Sequence, residues 1–140
     1  MDERYYHIPY DDLVIGQEAS LQLVMSEELV NAYSHLIGDK ESFHVSEEAA
    51  QVSRFKRRVA HGVHIFSYVS FLIGTKLPGF GTIYLSQKID YHHPVYIGEE
   101  IVCKVRVLEK MSSKRIRLET LVHMGETLIL SGEGIVMCWR

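Results

Sequence analysis

Asp39 and His44 stand five positions apart in the short stretch Gly38-Asp39-Lys40-Glu41-Ser42-Phe43-His44. A carboxylate and an imidazole are side chains that move protons near neutral pH. On residue type alone a plainer reading competes, in which Asp39 ends a helix and His44 packs. Eight histidines also raise the question of a metal. His61 and His64 are three apart, while His92 and His93 are adjacent. Neighbouring strand residues point to opposite faces, so the second pair chelates poorly. The chain has no CxxC, HExxH or EF-hand pattern, and no metal is expected. The basic run Arg54-Phe55-Lys56-Arg57-Arg58 offers guanidinium forks that suit phosphate oxygens, with Arg57 and Arg58 nearest the following His61-Gly62. A solvated charged turn is its alternative. Gly62 opens an apolar stretch, where unpaired N–H groups of a helix start favour negative charge.

These groups need elements to hold them. The 140 residues make one domain, long enough for a core without staples. A net charge of −3 argues against a nucleic-acid partner, whose phosphates call for excess Lys and Arg. Two cysteines are too few for a disulfide scaffold. Met1-Asp2-Glu3-Arg4 precedes no apolar signal core, and no run of about 18 apolar residues spans a bilayer. The expectation is a soluble, cytoplasmic protein with no membrane partner.

Residues 1–10 read as an arm that needs a surface to lie on. Ala19, Leu21 and Leu23 alternate as a first strand. Ser26 caps a helix carrying Leu29, Val30, Tyr33, Leu36 and Ile37, with Gly38 at its end. Ser46-Glu47-Glu48 caps a shorter one. From Val63 to Ile73 the pattern is apolar almost all round, which predicts a helix wrapped by other structure. The remainder reads as about four antiparallel strands, with Ile83, Leu85, Gln87, Ile89 and Tyr91 alternating against Tyr84, Ser86, Lys88 and Asp90. Only a curled sheet can hide such a helix, so an α+β hot-dog fold is expected, a single domain over residues 1–140.

Four ordered blocks then carry a resemblance: the Gly38–His44 loop; Val59-Ala60-His61-Gly62; Leu77-Pro78-Gly79-Phe80-Gly81-Thr82-Ile83-Tyr84-Leu85-Ser86-Gln87; and Pro94-Val95-Tyr96-Ile97-Gly98-Glu99. Together they resemble the MaoC-like dehydratases, closest to single-domain (R)-specific enoyl-CoA hydratases. The resemblance implies a homodimer that adds water to a trans-2-enoyl thioester of coenzyme A or acyl-carrier protein, or runs the reverse. It implies no cofactor beyond the coenzyme A of the substrate. Asp39 and His44 fall on the acid/base pair, which works best if burial lifts the carboxylate's pKa. The Gly62 N–H falls on an oxyanion hole. Ser70 falls on a serine that hydrogen-bonds the pair, against the alternative of a buried helix serine bonding its own backbone, and His61 marks the turn structurally. Arg57 and Arg58 become candidates for the coenzyme A phosphates, and Tyr84 and Gln87 for substrate contact. Tyr91 and Tyr96 read with Tyr84 as lining a tunnel or dimer seam, and plain sheet packing explains them equally well. A hot-dog thioesterase and a non-catalytic acyl-CoA binder are the alternatives.

The loop departs from the family's Asp-x-Asn-Pro-x-His: Glu41 and Ser42 replace Asn and Pro, and Ser46 replaces an acid. Loss of the proline is expected to loosen the turn. A second carboxylate at Glu41 is expected to raise one pKa.

Overall fold

The structure is a computed structural model that describes residues 3–140; Met1 and Asp2 of the expected arm lie outside the described residues. Five strands form one antiparallel sheet: β1 (Glu18–Val24), β2 (Ile83–Tyr91), β3 (Glu100–Lys110), β4 (Arg115–Met124) and β5 (Thr127–Met137). Their order across the sheet is β1-β3-β4-β5-β2, which leaves β1 and β2 as edges. Period-two alternation gives the sheet two faces of different chemistry. Ile101, Cys103, Val105 and Val107 of β3 and Ile116, Leu118 and Thr120 of β4 are buried on the inner face. The outer face carries ion pairs, Arg106 with Glu119 and Arg117 with Glu109 and Glu133. Burial pushes the Cys103 thiol up to about 12, so it behaves as a small hydrophobe.

Two of the three α-helices follow the capping signals. In α1 (Glu27–Ile37) the Ser26 hydroxyl accepts from Leu29 N–H, and Gly38 ends the helix at φ 79°, a left-handed position that suits glycine. In α2 (Glu47–Val52) Ser46 caps in the same way through Ala49 N–H. The longest, α3 (Gly62–Thr75), packs Ile65, Val69, Leu72 and Ile73 into the core against the sheet. Here the structure corrects one expectation. Val63 and Phe71 remain 62% and 59% exposed, so the sheet of a single chain covers α3 on one side only. The all-round apolar pattern is two faces, one against the sheet and one open.

A second correction concerns β2. The pairing with β5 shifts between Tyr84 and Ser86, a bulge that takes Leu85 out of phase. Alternation across the whole strand therefore fails, and Tyr84 and Gln87, three apart, end on the inner side together. Gly134 of β5 makes room for them, because a Cβ there would run into the Gln87 amide and the Tyr84 ring.

The described part of the arm does find a surface. Ile8 N–H donates to Pro78 and Phe80 N–H to Tyr6, while Tyr10 N–H reaches Arg140. His7 lies edge-on to Trp139 and Tyr5 to Phe80. No helix among the described residues is long and apolar enough to cross a membrane.

Candidate active site

The loop between α1 and α2 is built around the Asp39 carboxylate. Gly38 turns the chain, and Asp39 N–H bonds back to the Ser34 carbonyl. Four donors then converge on the side chain. Ser42 N–H at 3.1 Å and Glu41 N–H at 3.4 Å give to Oδ1. The Ser42 hydroxyl at 2.5 Å and His61 Nε2 at 2.8 Å give to Oδ2. An ionised carboxylate only accepts, which assigns the proton to His61 Nε2.

These donors hold the Asp39 carboxyl well below its usual 3.8, the Ser42 hydroxyl contributing most, and burial opposing them. The expected upward shift is therefore reversed. The Glu41 carboxylate is not among the causes; Glu41 is exposed and acts through its backbone N–H. The Ser42 hydroxyl also accepts from His44 N–H at 3.2 Å. The serine that stands in place of proline thus pins the turn by hydrogen bonds rather than leaving it loose.

His44 is held from the other side. Its Nδ1 lies 2.6 Å from the Val59 carbonyl, so Nδ1 carries the proton and donates. Arg58 Nε donates to the His44 carbonyl at 2.9 Å. Nε2 makes no hydrogen bond among the described residues and is the free lone pair of the ring. Burial pushes the His44 pKa below 6.5 and His61 adds to this, while the Val59 carbonyl and the Asp39 charge resist. His44 is neutral at pH 7.

Asp39 and His44 do not bond each other; His61 stands between them. Its ring stacks on His44 with centroids 3.8 Å apart, while its Nε2–H holds Asp39. The reading of His61 as a mere marker of the turn is corrected. No periodicity could have revealed a contact that spans 22 residues of chain. Its Nδ1 is buried without a partner among the described residues. Beyond it, Tyr33 stacks on His64, whose Nε2 pairs with the Tyr68 hydroxyl. Burial drives the His64 pKa down to about 4.

Next to this cluster is a cavity of about 500 Å³, lined by His44, Phe43, Phe55, Gly62, Val63 and Tyr91 among others. Gly62 is the first residue of α3, and its N–H has no acceptor among the described residues. A Cβ on Gly62 would lie 2.8 Å from the Tyr91 ring, so only glycine lets that ring approach the helix start.

Other expected site residues go elsewhere. Ser70 is exposed on α3 and bonds neither Asp39 nor His44 within the chain. Arg58 is 5% exposed, and its guanidinium turns inward onto His44, Glu27 and Asn31. Arg57 is exposed and lies over the Tyr96 ring at 3.7 Å. The Tyr84 hydroxyl donates to Gln87 Oε1, and Gln87 Nε2 reaches Thr120. Neither residue lines the His44 cavity; they form a separate polar group facing Phe66 of α3. His92 pairs with Ser131 and His93 with the Pro94 carbonyl.

Known proteins share this arrangement of the chain. A family described as "MaoC like domain" matches residues 14–127. A 3-hydroxybutyryl-CoA dehydratase of Methylorubrum extorquens is 34% identical, over 91% of this chain and 82% of that one. An (R)-specific enoyl-CoA hydratase of Rhodospirillum rubrum is 33% identical, over 91% of this chain and 90% of that one. Among solved structures, an unliganded R-hydratase from Pseudomonas aeruginosa superposes with a TM-score of 0.88 at 33% identity, covering 94% of this chain and 86% of that one. The curled antiparallel sheet with its helix is the hot-dog, α+β fold.

Proposed function

The chain belongs to the MaoC-like dehydratase family, and we propose that it is an acyl-thioester hydratase/dehydratase, adding water to trans-2-enoyl-CoA to give the (R)-3-hydroxyacyl thioester or running the reverse. The observation that carries this reading is a neutral His44 on a cavity it shares with the unpaired Gly62 N–H, backed by an ionised Asp39.

The thioester carbonyl accepts the Gly62 N–H, where the α3 dipole favours charge that grows as the enolate forms. His44 Nε2 takes a proton from water as the hydroxyl oxygen bonds the β-carbon. The imidazolium then returns that proton to the α-carbon, so one water supplies both the hydroxyl group and the hydrogen and His44 is regenerated. Asp39, saturated by four donors, is a poor base; its charge stabilises the transient imidazolium across the His61 ring. Coenzyme A enters only as part of the substrate, and an acyl-carrier-protein thioester offers the same reacting atoms.

Crotonyl-CoA hydration, followed at the enoyl absorbance, tests this directly. Loss of absorbance without thiol release is expected. Thiol release from a saturated acyl-CoA with no hydration would replace the reading by a thioesterase. The Gly62→Ala variant is expected to lose about 10- to 100-fold in kcat/KM, because the Tyr91 clash misplaces the helix start. Trimming Tyr91 to alanine in the same chain should recover part of that loss.

A second copy of the chain covers the open side of α3. Support comes from the exposed Val63 and Phe71, and from Ile83 and Leu85 exposed on the edge strand β2, a surface apolar enough to seek burial. Light scattering is expected to give a dimer mass, and Phe71→Asp a monomer; a wild-type monomer at micromolar concentration would remove this assembly.

A further inference from the structure

The segment from residue 58 to 61 grips the Asp39–His44 loop three times. Arg58 Nε donates to the His44 carbonyl, Val59 C=O takes the Nδ1 proton, and His61 Nε2 holds Asp39. Of the three, the Arg58 contact is the least expected, because the side chain lies in a run of exposed cations. Its neighbours Arg54, Lys56 and Arg57 are exposed, whereas Arg58 turns inward and is 5% exposed.

We infer that Arg58 is a positioning residue for His44, a role that rests on the hydratase reading only through its activity readout. The guanidinium makes three hydrogen bonds, to the loop and to α1, and an ion pair to α2. Nε goes to the loop, Nη1 to Glu27 at the start of α1, and Nη2 to Asn31 one turn on. Glu47, first in α2, lies 3.8 Å from Nη1. The ion pairs to Glu27 and Glu47 are exposed at the carboxylate end and contribute little; the direction of the fork follows from its hydrogen bonds to the His44 carbonyl, Glu27 and Asn31. Val59 completes the clamp one residue on, itself fastened by the Val59–Tyr96 bridge and by Ala60 N–H to Val95. His44 is thereby held at its main chain and its ring by consecutive residues. Removing one hold frees the direction of Nε2. Lysine cannot replace this, since a point charge on a flexible stem does not span the loop carbonyl and Asn31 together.

The test compares wild type and Arg58→Lys on crotonyl-CoA and on crotonyl-N-acetylcysteamine, a thioester with no phosphates. Expected is a fall in kcat of about 10- to 100-fold on both substrates with KM unchanged, as for a displaced catalytic group. A rise in KM confined to the coenzyme A substrate, with kcat intact, would make Arg58 a phosphate contact and overturn the proposal. Wild-type kinetics would overturn it too. If Arg58→Lys does not fold, Asn31→Ala carries the test: Arg58 stays but loses its anchor on α1. A several-fold loss of kcat on both substrates is then expected, and an unchanged kcat would overturn the role. Nitrogen-15 shifts of the His44 ring, read without substrate, separate this proposal from the hydratase reading. The wild type should show one Nδ1–H tautomer and the variant an averaged ring, whether or not either turns over. Identical shifts in the two would overturn the proposal.

Discussion

Replacing His44 with glutamine is expected to lower kcat for enoyl-thioester hydration by about 10²- to 10⁴-fold, the range typical of a positioned acid/base group. Glutamine fills similar space and can still donate to the Val59 carbonyl, but it offers no basic lone pair at neutral pH. The fold should survive, so circular dichroism and the melting temperature should change little while turnover collapses. In the wild type, the pH dependence of kcat/KM reports the same group. Activity needs neutral His44, and burial holds its pKa below 6.5. Turnover should therefore stay level as pH falls to 6.5 and decline only below it. An acid limb centred above 6.5, or a His44→Gln enzyme within a few-fold of wild type, would remove His44 as the proton carrier.

Asp39→Asn is expected to cost roughly 10²-fold or more in kcat, for a different reason. The amide keeps an acceptor oxygen but loses the charge that favours the imidazolium next door. It must also point an NH₂ group at one of two donor sets. That leaves Ser42 N–H and Glu41 N–H, or the Ser42 hydroxyl and His61 Nε2–H, facing a donor. The sign of the accompanying pH effect is fixed. Asp39 raises the His44 pKa, so removing its charge moves the acid limb of the profile further down. A kcat loss with an unmoved limb would mean that Asp39 serves only to shape the turn. A wild-type rate would exclude it from the chemistry.

Much of this was legible in the amino-acid order, and the failures have identifiable causes. Ser26, Gly38 and Ser46 announce the helix ends because capping is local: the hydroxyl or the missing Cβ acts within a few residues. The alternation of β3 and β4 gives away the inner face for the same reason. The Leu85 bulge is invisible because alternation continues past it; only the partner strand shows that one residue has dropped out of register. Arg58 looks like its basic neighbours, and nothing in Lys56-Arg57-Arg58 tells which cation turns inward. The Asp39 carboxyl was expected to be lifted by burial, with Glu41 nearby in the chain raising one pKa of the pair. Donor count decides against this, and donors such as His61 arrive from distant sequence. The resemblance to known hydratases supplied the Asp39, His44 and Gly62 set, but not the route by which Asp39 and His44 communicate.

The spacing of the clamp carries its own consequence. Arg58, Val59 and His61 grip from neighbouring places on one short stretch of chain, so their separations are counted in whole residues. Deleting or inserting a single amino acid between 58 and 61 would put the residues on either side of it out of register, and at least one of the three grips would be lost. Substitutions in that stretch can be graded in their effect, whereas changes of length cannot, which makes it a poor place for insertions to drift.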